Sequence, residues 1–106
     1  MMIHTEILSI VSEGDFYSRN ITPQIQAVVE ASGIQEGQAL VFYRHTTGAL
    51  LMVEHEIGIV VDLEKILEEL TPTDGDYTHH RRGYDKNGAA HLRTALMNVS
   101  VTVPIL

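Results

Sequence analysis

The sequence predicts an α+β fold: antiparallel strands with flanking helices. Two observations carry this. Adjacent stretches of large and β-branched residues, GQALVFYRH and ALLMVEH, are separated only by Thr46, Thr47 and Gly48, which reads as a hairpin rather than a parallel crossover. The segments also run strand, helix, strand, strand, helix, loop, helix, strand, an order that lacks the regular alternation of a doubly wound sheet.

Each element has its own signal. Residues 4–11 mix alternation with apolar pairs (Ile7, Leu8, Ile10, Val11) and predict a first strand ending at a turn over residues 12–15. In ITPQIQAVVEASG, Thr22 is expected to cap a helix, Pro23 to open it and Gly33 to end it, with Ile25, Val28 and Val29 on one face. GQALVFYRH and ALLMVEH (residues 49–55) are the hairpin strands. After Gly58, the positions Ile59, Val60, Leu63, Ile66, Leu67 and Leu70 repeat at helical spacing, and the helix is expected to stop before Pro72. Asp62 is placed in its first turn, where a carboxylate complements the helix dipole.

Almost nothing apolar lies between Leu70 and Ala89, and a polar loop of that length in a compact domain is usually functional or mobile. Asn87 is expected to cap a helix over residues 88–97. VSVTVPIL then alternates as a last strand, with Pro104 marking an edge. The chain stops on this apolar segment, which predicts a truncated domain or a strand completed by another subunit.

Composition narrows the function classes. The 106 residues form a single expected domain, 1–106. A formal charge of −7 argues against nucleic-acid binding, which needs a basic face. No apolar run reaches the roughly 20 residues of a membrane span, and the N-terminus lacks a basic leader, so a cytoplasmic protein is expected. With no cysteine, only histidines and carboxylates remain as strong metal ligands.

The chain has six histidines. Three sit among polar residues where regular structure ends: His45, His79 and His91. Three imidazoles with an open position are the plan of a catalytic zinc site, although this spacing lacks the His-Glu-x-x-His pattern that fixes two ligands on one helical turn. A lone histidine at a strand end is more often a hydrogen-bonded surface residue, and His4 and His55 are read that way; His80 points away from His79 if the backbone is extended. Glu54 ends an apolar strand nine residues after His45. Thr46 and Thr47 divide between turn formation and ligand contact. Arg81, Arg82 and Lys86, flanked by Tyr77, His79, His80 and Tyr84, read equally as a solvated loop or as a positive rim for a small anion.

These residues carry a resemblance. SGIQEGQALVFYRHTTGALLMVEHE, VDLEKILEELTP, DYTHH, KNGAAHLRTALMN and VSVTVPI occur in the order found in the YjbQ-like family, an uncharacterised family commonly labelled secondary thiamine-phosphate synthase. The most specific elements are Ser32-Gly33-Ile34, His45-Thr46-Thr47, Tyr77-x-His79 and Ala90-His91-Leu92. The resemblance implies a homotrimer with a pocket built around His45, His79 and His91, which would hold a divalent metal such as zinc, or a phosphate. It implies a small phosphorylated metabolite as substrate and a transferase activity of the thiamine-phosphate synthase type. Glu54 and His45 would be catalytic, and Thr46, Thr47, Arg81, Arg82 and Asn87 would contact substrate. A noncatalytic metal- or metabolite-binding trimer is the alternative. Two departures stand out: Val53 replaces the family's Asn before Glu54, and the family's later Gly-Thr-Trp-Gln segment and Arg-rich final strands are absent, which implies C-terminal truncation.

Overall fold

The computed structural model describes residues 2–83 and 85–106. In order, the elements are α1 (Thr22–Ser32), β1 (Gly37–Phe42), α2 (Ile57–Leu70), a 3-10 turn (Thr78–Arg81), α3 (Gly88–Leu96) and β2 (Ser100–Ile105). β1 and β2 pair in a two-stranded antiparallel sheet. The residues group into two compact units, one running to Ala39 and including Thr102–Leu106, the other Leu40–Val101.

In the first unit, α1 opens with Pro23 in its first turn and closes at Gly33, whose φ of 72° places it in the left-handed region that glycine occupies without a Cβ penalty. The Gly33 N–H donates to Glu30 O at 3.2 Å. Thr22 is helical rather than the cap, and the Asn20 side chain accepts its N–H at 3.0 Å. The strand expected over residues 4–11 does not form: Ile3, Ile7 and Val11 are exposed, and β1 and β2 pair with each other. Apolar patterning raises strand propensity, but a strand exists only through a partner's hydrogen bonds.

The hairpin is also replaced. Residues 49–55 are irregular, and β1 takes β2 as its neighbour. Two hydrogen bonds account for this in the second unit. Tyr43 N donates to Val99 O and Leu50 N to Asn98 O, both at 2.7 Å, so the segment before β2 takes donors a hairpin would have spent internally. Between them the chain bends at Thr46 and Thr47.

α2 begins one residue before Gly58. The Glu56 carboxylate accepts from Gly58 N at 2.8 Å and Ile59 N at 2.6 Å, satisfying donors that a helix start leaves unpaired. With Ile57 as the first helical residue, Asp62 lies beyond the first turn, and Glu56 supplies the negative charge there. α2 ends at Leu70 with Thr71 as its C-cap, before Pro72 as expected.

Leu67 and Ala89 are the buried apolar side chains among the described residues, and Thr71 and Thr94 are buried beside them in the same unit. Both threonines are bonded. Thr71 Oγ1 donates to Leu67 O at 2.5 Å, and Thr94 Oγ1 to Gly48 O at 3.0 Å. Arg93, its side chain 11% exposed, ties α3 to the end of α2. Its Nε donates to Thr71 Oγ1 at 2.9 Å, and its Nη2 to Thr71 O at 2.6 Å, Glu68 Oε2 at 2.9 Å and Thr73 Oγ1 at 3.1 Å. Thr73 completes the network by donating its N–H and hydroxyl to Glu68.

Replacing Arg93 leaves the Thr71 carbonyl without its charged donor. Arg93→Ala is expected to cost about 2–3 kcal/mol in urea denaturation, and Arg93→Lys to recover only part, since one ammonium cannot span the same acceptors. The Thr73 hydrogen bonds, with Arg93 adding, hold the Glu68 carboxyl below its usual pKa. The resulting stabilisation is present above the unfolded value of about 4.3 and is lost as the pH falls through the lower folded value. Thermal melts should therefore fall more steeply with acid for the native chain than for Glu68→Gln.

Candidate functional site

The polar cluster of the second unit forms where the 3-10 turn meets the start of α3. That turn presents His79 and His80, and α3 presents His91 one turn in. The His79 and His91 rings meet edge to face with centroids 4.8 Å apart. Asn87 does not cap α3 with its side chain; its Oδ1 instead lies 3.1 Å from His79 Nε2. An amide oxygen only accepts, so Nε2 carries the proton and Nδ1 of neutral His79 is the basic nitrogen.

His80 is held in the opposite tautomer. The Gly88 N–H donates to its Nε2 at 3.0 Å, so that nitrogen bears the lone pair and Nδ1 the proton. The His80 ring packs edge to face on Tyr77 at 5.3 Å, and the Tyr77 hydroxyl donates to Pro72 O at 2.6 Å. Gly88 is needed here: a Cβ would lie 3.0 Å from His80 Nε2 and from Tyr77 Cβ and Cγ.

Beside His91 lies a shallow, open cleft of about 460 Å³ whose lining includes Thr46, Thr94, Met97, Asn98 and Ser100 as well as His91. Its Thr46 wall is held by the Thr94–Gly48 hydrogen bond and by the close approach of the Tyr43 ring, 2.6 Å from where a Gly48 Cβ would stand.

The expected residues thus divide. His79, Asn87 and His91 come together, and Thr46 shares a cleft with His91. His45 is exposed and meets Tyr43 edge to face at 5.4 Å. Glu54 and Thr47 are exposed, and no hydrogen bond joins Glu54 to the cluster among the described residues. Arg81 spends its Nη2 on both carboxylate oxygens of Asp76 at 3.0 Å, while Arg82 and Lys86 are exposed; Tyr84 lies outside the described residues.

A catalytic zinc site takes three protein ligands. Among the described residues, no three or more His, Asp or Glu side chains gather as a metal-holding set. His79 and His91 supply two imidazoles; the His80 ring lies 6.2 Å from that of His79, but its Nε2 is taken by the Gly88 N–H. Sequence reasoning passed over Arg93, Thr94, Asn98 and Ser100. The three-residue spacing of His91 and Thr94, which puts them on one helix face, was the available signal.

A family model described as UPF0047 protein YjbQ-like matches residues 6–106. A UPF0047 protein of Methanothermobacter thermautotrophicus is 35% identical over all of this chain and 73% of its own length. One from Synechocystis is 38% identical over 97% of this chain and 70% of its own length. Among solved structures, a YbjQ-like protein of unknown function from Sulfolobus solfataricus superposes with a TM-score of 0.81 at 31% identity, covering 90% of this chain and 68% of that one. An uncharacterised conserved YjbQ/UPF0047 protein of Clostridium acetobutylicum gives 0.71 at 31% identity, covering 82% of this chain and 65% of that one. The chain thus spans about two thirds of the length of these relatives.

The crowding at Gly88 makes a specific prediction. Gly88→Ala should lower stability by about 1–3 kcal/mol, the cost of overpacking. It should also speed hydrogen exchange of the amide at position 88 as its bond to His80 opens.

Proposed function

The chain belongs to the UPF0047 protein YjbQ-like family, and on that premise we propose that it is a small-metabolite enzyme working by acid–base chemistry on a phosphorylated substrate. The observation that carries the reading is the His79–Asn87–His91 arrangement. Asn87 fixes the proton of His79 on Nε2 and leaves Nδ1 to take one up, and the neighbouring His91 imidazole offers a second group able to give or receive a proton. General acid–base pairs need this kind of oriented contact before any matching of pKa.

The reaction class that fits the family's label is transfer of the thiamine-phosphate synthase type, in which a pyrimidine pyrophosphate joins a thiazole phosphate. Departing pyrophosphate must be neutralised, and Arg82, Lys86 and, after exchange from Asp76, Arg81 are the cations at hand. Thr46 and Thr47 would contact substrate, and Glu54 and His45 would serve as further base or orienting groups once substrate brings them to the cluster. A divalent metal such as zinc would need a third ligand beside His79 and His91. The protein would act in the cytoplasm as a homotrimer; the exposed Leu40 and Phe42 on one face of β1 favour association.

The second reading, a noncatalytic metal- or metabolite-binding trimer, draws on the same contact, because His79 and His91 would then be two ligands of an ion shared between copies.

The test combines turnover with metal analysis. Purified protein is assayed for pyrophosphate release from the pyrimidine and thiazole substrates, alongside His79→Gln, His91→Gln and Glu54→Gln. The acid–base reading expects each histidine change to lower the rate by about 10²–10⁴-fold with the fold intact by circular dichroism. Wild-type rates in both histidine variants overturn it. A stoichiometric metal with no turnover in any preparation selects the binder.

A further inference from the structure

The His79–Asn87 and His80–Gly88 contacts sit side by side, each joining residues eight apart in the chain. We propose that His80 is a positioning residue of the candidate acid–base pair: by holding the peptide plane between Asn87 and Gly88, its Nε2 keeps the Asn87 oxygen on His79 and fixes where His91 stands. The inference rests on the reading of His79 and His91 as proton-transfer groups and adds the residue that aligns them.

A peptide unit is planar, so fixing both of its polar ends fixes its orientation. The Asn87–Gly88 unit is held at both. Its N–H donates to His80 Nε2 at 3.0 Å, and its carbonyl, that of Asn87, accepts the His91 N–H at 3.2 Å where α3 begins. The Asn87 side chain leaves the same unit toward His79 Nε2, 3.1 Å away. One plane thus meets all three histidines. Rotating it would carry the Asn87 oxygen off the His79 ring and disturb the helical turn that carries His91.

The hold has to come from outside the helix. Gly88 is the first residue of α3 and is buried, and the opening N–H groups of a helix have no intrahelical acceptor. The Asn87 side chain, in the place of a cap, is turned to His79 instead. His80 is itself well seated: it is half-buried, its backbone N–H donates to Tyr77 O at 3.0 Å, and its ring packs on a Tyr77 ring anchored through its hydroxyl to Pro72 O. His79 is exposed, so its ring is oriented by Asn87 and His91 rather than by burial. The anchored imidazole therefore orders the exposed one.

Two substitutions separate the acceptor from the ring. His80→Phe keeps an aromatic edge for Tyr77 but accepts no hydrogen bond, whereas His80→Gln gives up the ring and retains an acceptor oxygen at a similar reach to Nε2. A residue that only filled space is replaced better by Phe. One that positions its neighbours through Gly88 is replaced better by Gln.

The test is NMR of the histidine ring nitrogens in the whole chain at a pH of about 8.5, where imidazole is neutral, with turnover measured alongside. In the native chain His80 should show the Nδ1–H tautomer and His79 the Nε2–H tautomer. In His80→Phe the two ring-nitrogen signals of His79 should draw together as its tautomers interconvert, and exchange of the Gly88 amide should accelerate. The turnover number should fall about 10–100-fold, the scale of a small misplacement of reacting groups, and His80→Gln should restore all three readouts. An Nε2–H tautomer at His80 in the native chain, unchanged His79 signals in His80→Phe, or a Phe variant closer to native than the Gln variant each overturn the proposal. A native chain without turnover loses the acid–base reading alone, since the ring nitrogens report the positioning of His79 independently of it. Unchanged His79 signals in His80→Phe, with turnover still lost in His79→Gln, sink the positioning role alone.

Discussion

The Arg93 guanidinium is the interaction on which the site depends. It reaches from α3 to the carbonyl and hydroxyl of Thr71 at the end of α2, and to Glu68 and Thr73 on either side. A helix end leaves carbonyls without intrahelical partners, and a planar charged fork is well suited to several acceptors at once. Because His91 stands two residues before Arg93 on α3, the same bonds that secure the helix also fix where that imidazole is held. Glu68 and Thr73 reinforce the grip from the α2 side.

Around that anchor, hydrogen bonds rather than apolar bulk arrange the polar side chains. The buried apolar side chains among the described residues are small in number, Leu67 and Ala89, while Thr71 and Thr94 are buried with their hydroxyls satisfied. Thr94 carries the bend at Thr46 and Thr47 by bonding Gly48, and Tyr43 lies close over the same glycine. Asn87 and Gly88, adjacent in sequence, lock His79 and His80 in opposite tautomers, one through a side-chain oxygen and the other through a backbone N–H. Two neighbouring imidazoles thereby acquire different chemistry: His79 offers Nδ1 as a base, while His80 spends its lone pair on holding the start of α3.

Local chemistry was legible where it acts over a few residues. Pro23 and Gly33 bracket α1, the repeat from Ile59 to Leu70 defines α2, and the alternation in VSVTVPI becomes β2. Partner choice was not legible. GQALVFYRH and ALLMVEH look like a hairpin because they are adjacent and apolar, but β1 pairs with β2 far along the chain, and residues 4–11 remain without a strand. Likewise, the family's motif residues named His45, His79 and His91 as a set, whereas ring contact joins only the last two.

The sequence by itself determined the α+β class, the helices and the identity of the polar residues, because caps, turns and helical periodicity depend on neighbours within about one turn. The tertiary structure alone decided which strand met which, that Asn87 would orient a histidine rather than cap a helix, and that Asn98 and Ser100 would line a cleft with Thr46 and His91. Those outcomes depend on hydrogen bonds between residues distant in the chain, such as Thr94 to Gly48 and Arg93 to Thr71, which no local pattern encodes.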